Sequence, residues 1–231
     1  FLTIDKNIEL QNWIAQQNIP NNVFIKFAGS NEEREESAAF LGNAMLGALF
    51  LMFIILLTQF NSFYQAIITL STVILSTIGA LTGIMIVGQY FSVIMTGLGV
   101  VSLAGIIVNN SIVLIDTYNR LKNEHDDPIE TILHSSVQRF RPIVLTTATT
   151  MIALIPVALQ VTIGWFDRSI EFGGLMAAWW VPFSTAVIWG LGFSSVLTLF
   201  LVPTLLSVPI YLKKNRYNLI NKLKSKAQPA E

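Results

Sequence analysis

Cysteine is missing from all 231 residues. Its absence excludes a disulfide framework and a thiolate metal site, and it says nothing about redox compartment. Charge is scarce as well: Asp, Glu, Lys and Arg together make up 12% of the chain, about half the fraction of a soluble domain. Net charge is zero, so no basic field invites a nucleic acid. His125 and His134 stand nine residues apart with no clustered partner, so neither a metal site nor a cofactor is expected. No nucleophile elbow, pair of catalytic carboxylates or phosphate loop is found, which leaves an enzyme little support. The chain opens on Phe1, and "FLTIDKNIELQNW" lacks the basic start, apolar core and small-residue cleavage site of a signal peptide. The expectation is an internal start, in the back portion of something longer.

What is present is apolar. Hydrophobic residues make up 53% of the chain and the mean hydropathy is +0.61. Positions 37–115, 142–166 and 172–212 carry no charge. A spanning helix needs roughly 20 apolar residues, so a polytopic membrane protein is expected. Short polar and aromatic breaks, "QFNSFYQ" and "GQYFS", divide the first run as membrane interfaces do. They predict spans near 38–58, 66–87 and 93–118, with a fourth near 142–162 and a fifth near 185–210, whose start depends on where Pro182 falls. Arg120, Lys122, Arg139 and Arg141 lie in segment 119–141, and six Lys or Arg follow position 212, whereas loop 163–178 holds only Arg168. The positive-inside rule then puts 119–141 and the C-terminus in the cytoplasm and the first 36 residues outside.

Residues 1–36 read as a small α/β segment. Ile4, Ile8, Leu10, Trp13 and Ile14 suit a half-buried helix, and "VFIKFAG" alternates like a strand. Ser30 with Glu33 fits a capping box, predicting a helix from near Asn31 into the membrane. Between the third and fourth spans, Asp127 is placed to cap and Pro128 to start a helix in which Ile129, Ile132, Leu133 and Val137 recur at helical spacing. An amphipathic helix over about 127–138, flat on the membrane surface, is expected there.

The polar residues inside the spans ask for an explanation. Gly79 and Gly83 form a G-x-x-x-G, for which close helix contact suffices. In "GIIVNNSIVLID", Asn109 and Asn110 could each serve only as helix glue. Ser102, Gly105, Asn109 and Asp116, however, recur at spacings of three, four and seven, giving one small or polar face; such faces look into a bundle interior or a hydrated cavity. Arg139, Thr146 and Thr150 repeat the pattern on the next span, although Arg139 could equally snorkel as an interfacial anchor. A shared polar pathway through Asn109, Asn110, Arg139 and Thr146 is expected, with Ser102, Asp116 and Thr150 in support.

"GLGVVSLAGIIVNNSIVLIDTYNRL" followed by "PIETILHSSVQRFRPIVLTTATTMIALIPVAL" resembles the resistance-nodulation-division efflux permeases of the hydrophobe/amphiphile or multidrug type. "GSNEEREES" and "LTLFLVPTLL" are similar to the same family, and the resemblance covers essentially the whole chain as a C-terminal part. It implies an all-α membrane fold of five transmembrane helices, helices eight to twelve of twelve. Residues 1–36 would end a periplasmic porter domain, 37–212 would form the bundle, and 213–231 a basic cytoplasmic tail.

By the same resemblance, the function is proton-driven export of small amphiphilic molecules across the bacterial inner membrane. The partners would be the N-terminal half of the same permease, two further copies in a homotrimer, a periplasmic adaptor, an outer-membrane channel and membrane lipids. Asn110, Arg139 and Thr146 match family residues that complete a proton relay to an aspartate pair in the fourth helix. Asn109 departs from the pattern, since multidrug members carry lysine there, and asparagine supplies no charge to hold those aspartates ionised. Two other readings stay open: another export or translocation factor of the superfamily, and a membrane scaffold without its own transport cycle.

Overall fold

The structure, a computed structural model, describes Glu9, Asn12, Trp13, Glu124 and the stretches 30–122, 127–164 and 169–227. Packing divides the chain into two units, Phe1–Glu36 and Ser37–Glu231. In the first, Glu9, Asn12 and Trp13 are helical; the strand expected before Gly29 lies outside the described residues.

Five long helices and one hairpin follow: α1 (Ser30–Phe60), α2 (Phe63–Val87), α3 (Val93–Leu121), α4 (Pro128–Ala158), β1 (Val161–Gly164), β2 (Ser169–Phe172) and α5 (Leu175–Ala227). Each helix contains a stretch long and apolar enough to cross a membrane, and the fold is that of an all-α membrane protein. The junctions follow from local chemistry. Asn61 takes a left-handed conformation (φ 48°) between α1 and α2, which asparagine tolerates better than most residues. Ser62 and Ser92 cap α2 and α3 in extended conformation, and Asp127 Oδ1 accepts from the Ile129 N–H ahead of Pro128. Gly88, at φ 69°, ends α2, and the Gln89 N–H donates back to Ile84 O at 3.2 Å, a Schellman closure.

α5 packs along α2, α3 and α4, with α2 against α3 and α3 against α4. The core of that arrangement is Leu103, Ile107, Leu114 and Ile115 of α3, Val73 and Ala80 of α2, and Val187, Leu191 and Val202 of α5, all essentially inaccessible. Lipid is as apolar as leucine, so shape complementarity does the holding. Gly79 and Gly83 show how: the space their side chains would fill is occupied by Phe193 and Trp189 of α5. In return, Leu103 of α3 fills the notch at Gly190. The G-x-x-x-G is therefore a seat for two aromatic rings. By contrast, α1 is exposed along most of its length, and of its apolar side chains only Leu56 and Phe60 are buried.

Three sequence expectations need correction. The amphipathic segment near 127–138 and the fourth span are not separate elements, because α4 runs unbroken from Pro128 through Pro142 to Ala158. A proline removes one N–H and crowds one carbonyl, and in a packed membrane helix neighbouring groups absorb that loss. Within α4, Ile132 is buried beside Thr131 and Ser135, while Leu133 and Val137 stay exposed. Second, residues after Leu159 are not helical but form an antiparallel hairpin, with Val161 opposite Phe172 and Gly164 opposite Ser169. Gln160, left-handed at φ 57°, turns the chain out of α4. Third, the last helix starts at Leu175, not near 185, and passes Pro182, Pro203 and Pro209 on its way to Ala227. Pro209 cannot donate to Leu205 O, and the Tyr64 hydroxyl of α2 donates to that carbonyl instead, at 2.6 Å.

Candidate functional site

At about 100° per residue, Ser102, Gly105, Asn109 and Asp116 fall within a narrow arc of α3. All four are exposed. Nothing lies within 4 Å of the side-chain position at Gly105. Leu103, Ala104, Ile107, Val108, Leu114 and Ile115 of the same helix are turned the other way, into the bundle, while Ile106, Ile112 and Val113 flank the stripe half-buried. The helix thus offers its polar stripe outward and keeps its hydrophobic side for its own chain, the reverse of what a lipid-facing helix does.

Asn110 belongs to a different face. It is 7% exposed and lies on one line with Leu103, Ile107, Leu114 and Thr117, all buried. Arg139 of α4 reaches that line two turns beyond Asn110: its Nε donates to Thr117 Oγ1 at 2.6 Å. Thr117, wholly buried, passes its own proton to Val113 O at 2.8 Å. A charge-assisted bond to a buried hydroxyl holds the guanidinium at the α3–α4 contact.

The expected single cluster is not assembled within this chain. No side-chain hydrogen bond joins Arg139 or Thr146 to Asn109 or Asn110. Thr146 is exposed and donates to Ile143 O of its own helix at 3.0 Å; Thr150, half-buried, donates to Thr146 O at 2.8 Å. Two sets emerge instead: an inner set (buried Asn110 and Thr117 with half-buried Arg139) and an outward set (Ser102, Asn109, Asp116, Thr146).

Thr117 was missed in the sequence, although its position seven residues after Asn110 puts the two on one face. Other polar links sew the bundle together. The Gln65 and Asn119 side-chain amides exchange hydrogen bonds, Nε2 of Gln65 donating to Oδ1 of Asn119 at 2.7 Å and Nδ2 of Asn119 to Oε1 of Gln65 at 2.9 Å. Thr72 meets Ser111 at 3.3 Å, and Thr147 meets Ser195 at 2.7 Å. Each satisfies groups that hydrocarbon would leave without partners.

Residues 6–208 match the model of the AcrB/AcrD/AcrF family. The chain is 31% identical over 207 residues to the swarming motility protein SwrC of Bacillus subtilis (strain 168), a match covering 90% of this chain and 18% of the relative. Its structure is similar to two crystal forms of a heavy metal efflux pump, both at 26% identity. The TM-scores are 0.69, covering 91% of this chain and 20% of that one, and 0.67, covering 86% and 18%. The chain therefore spans about one fifth of the length of these relatives. With most of its residues inside the family match and all five spans in the shared fold, the chain belongs to the AcrB/AcrD/AcrF family of resistance-nodulation-division permeases.

Proposed function

We propose that this chain forms the C-terminal transmembrane wall of a proton-driven efflux permease in the bacterial inner membrane, with the hairpin side periplasmic and the basic C-terminus cytoplasmic. The observation that carries this reading is the outward polar stripe of α3: Ser102, Gly105, Asn109 and Asp116 exposed above a buried apolar face. Polar groups in a spanning helix favour protein or water over lipid. The stripe is complementary to another half that presents proton-binding carboxylates, as the family resemblance implies. Asn109 and Thr146 would face that half, while Asn110 and Arg139 hold the helices behind it.

In this arrangement a proton arriving on the carboxylates changes which hydrogen bonds the stripe can accept or donate. Asn109 can donate to an ionised carboxylate and accept from a protonated one, so it can follow both states without changing its own charge. The cationic role then falls on Arg139, which its bond to Thr117 keeps within the α3–α4 contact. Homotrimeric assembly, a periplasmic adaptor and an outer-membrane channel complete the proposal.

Small amphiphilic molecules are the proposed cargo. The solved neighbours are two crystal forms of a heavy metal efflux pump, which makes a heavy-metal ion the second reading. The test is transport by the complete permease in proteoliposomes under an imposed pH gradient, with an amphiphilic dye and a heavy-metal ion offered in parallel. Gradient-dependent movement of the dye supports the first reading, movement of the metal alone supports the second, and movement of neither contradicts both.

A further inference from the structure

A cavity of about 630 Å³ between the ends of four helices has no part in the proposed proton pathway. That volume is within the range of about 300–1,000 Å³ common for small-molecule sites. The start of α2 at Ser62 and Tyr64, the end of α3 at Tyr118 and Lys122, the start of α4 at Pro128 and the stretch of α5 near Lys213 all border it. Lys213 also ends the apolar stretch of α5. The cavity therefore lies where hydrocarbon gives way to water, whichever side of the membrane that is.

Its lining is graded. Leu206, Pro209 and Ile210 form an apolar wall, while Lys122 and Lys213, both exposed, set two positive charges at its edge. No acidic side chain is among the described lining residues. The N-terminus of α2, with no acidic residue in its first turn, adds partial positive charge, whereas that of α4 is already met by Asp127 and Glu130. Two lining groups are already committed: Tyr64 gives its proton to Leu205 O, and the Gln65 amide is paired with Asn119. The lysines and the Ser62 and Tyr118 hydroxyls remain as donors.

An apolar wall, two cations and neutral donors at a membrane boundary fit an amphiphile with a phosphate headgroup. Free phosphate would find the cations but gain nothing from Leu206 and Ile210. A zwitterionic phospholipid would bring a cation of its own towards the lysines. We infer that this cavity binds the headgroup of an anionic phospholipid, its phosphodiester held by Lys122 and Lys213 and its acyl chains lying along the Leu206–Ile210 wall. The inference needs only the membrane location and stands apart from proton coupling.

The test uses the complete protein purified in detergent, with bound lipid counted by native mass spectrometry during titration with phosphatidylglycerol, phosphatidylcholine or inorganic phosphate. Phosphatidylglycerol should be retained over phosphatidylcholine, and equimolar phosphate should not displace it. Lys122→Gln/Lys213→Gln should weaken retention about tenfold or more. Lys122→Arg/Lys213→Arg should keep it within about threefold, because the charge is preserved. A control of equal charge loss outside the cavity, Arg120→Gln/Arg216→Gln, should also stay within that range. Equal retention of both lipids, displacement by phosphate, or an equal loss in the control would each overturn the inference. If the glutamine variant does not fold, lipid selectivity of the wild type and of the arginine variant still decides.

Discussion

Arg139 is tied to Thr117 across the α3–α4 contact by a 2.6 Å bond from Nε to Oγ1. The acceptor is fully buried, so no water replaces it when the hydroxyl is lost. Thr117→Val keeps the shape and removes the acceptor, and should lower stability by about 1–3 kcal/mol. Thr117→Ser should stay near wild type. Thermal unfolding in detergent distinguishes them, and equal melting of the two variants contradicts a structural role for the bond.

The glycine notches make a second prediction of opposite signs. Gly83→Ala pushes a methyl group into Trp189 and should destabilise by about 1–3 kcal/mol. Gly42→Ala in exposed α1, with nothing within 4 Å, should be neutral or stabilising by up to about 1 kcal/mol. Trp189→Ala combined with Gly83→Ala should cost less than the sum of the two single changes, as expected of residues in contact. Additive losses in that cycle would contradict the ring-in-notch packing.

Tyr64, Leu205 and Pro209 make a three-part arrangement that can be taken apart. Tyr64→Phe leaves Leu205 O without the donor that replaces the missing proline N–H. In a Pro209→Ala background the helix recovers its own donor, so the same substitution should cost less, with a coupling of at least about 0.5 kcal/mol. Identical costs in the two backgrounds would show that the tyrosine bond is incidental.

Topology can be read directly because the chain has no cysteine. Single cysteines at Ser30, Asn123 and Ser225 should respond differently to an impermeant thiol reagent applied to intact cells. Position 30 should label, whereas 123 and 225 should label only after the membrane is opened. Labelling of 123 or 225 in intact cells, with 30 protected, reverses the proposed orientation.

Five spans were legible because hydropathy and length act locally. Charge-free runs, interfacial "QFNSFYQ" and "GQYFS", and the cap at Asp127 each work within a few residues. The missed features depend on partners distant in sequence. Pro142 marks the expected start of the fourth span and Pro182 leaves the start of the fifth open, yet both helices run through them inside a packed bundle. The hairpin of Val161–Gly164 with Ser169–Phe172 was hidden inside segments assigned to a span and a loop. The polar stripe was visible in spacing alone, but its outward direction was not, because periodicity gives a face without saying what that face meets. Thr117 was overlooked for Asp116, one residue earlier, which carries the charge but points away from the bundle.

The central claim is that Asn109 serves coupling rather than assembly. In the complete permease, Asn109→Leu should abolish proton-coupled export while trimer yield stays near wild type. Arg139→Ala should abolish export and also lower stability, because it removes the bond to Thr117. Asn109→Lys, which restores the residue of multidrug relatives, should retain more activity than Leu. The decisive measurement is export per correctly assembled trimer for Asn109→Leu. The account predicts a loss to background at normal assembly. Normal export per trimer, with fewer trimers formed, would contradict it and leave Asn109 as helix glue.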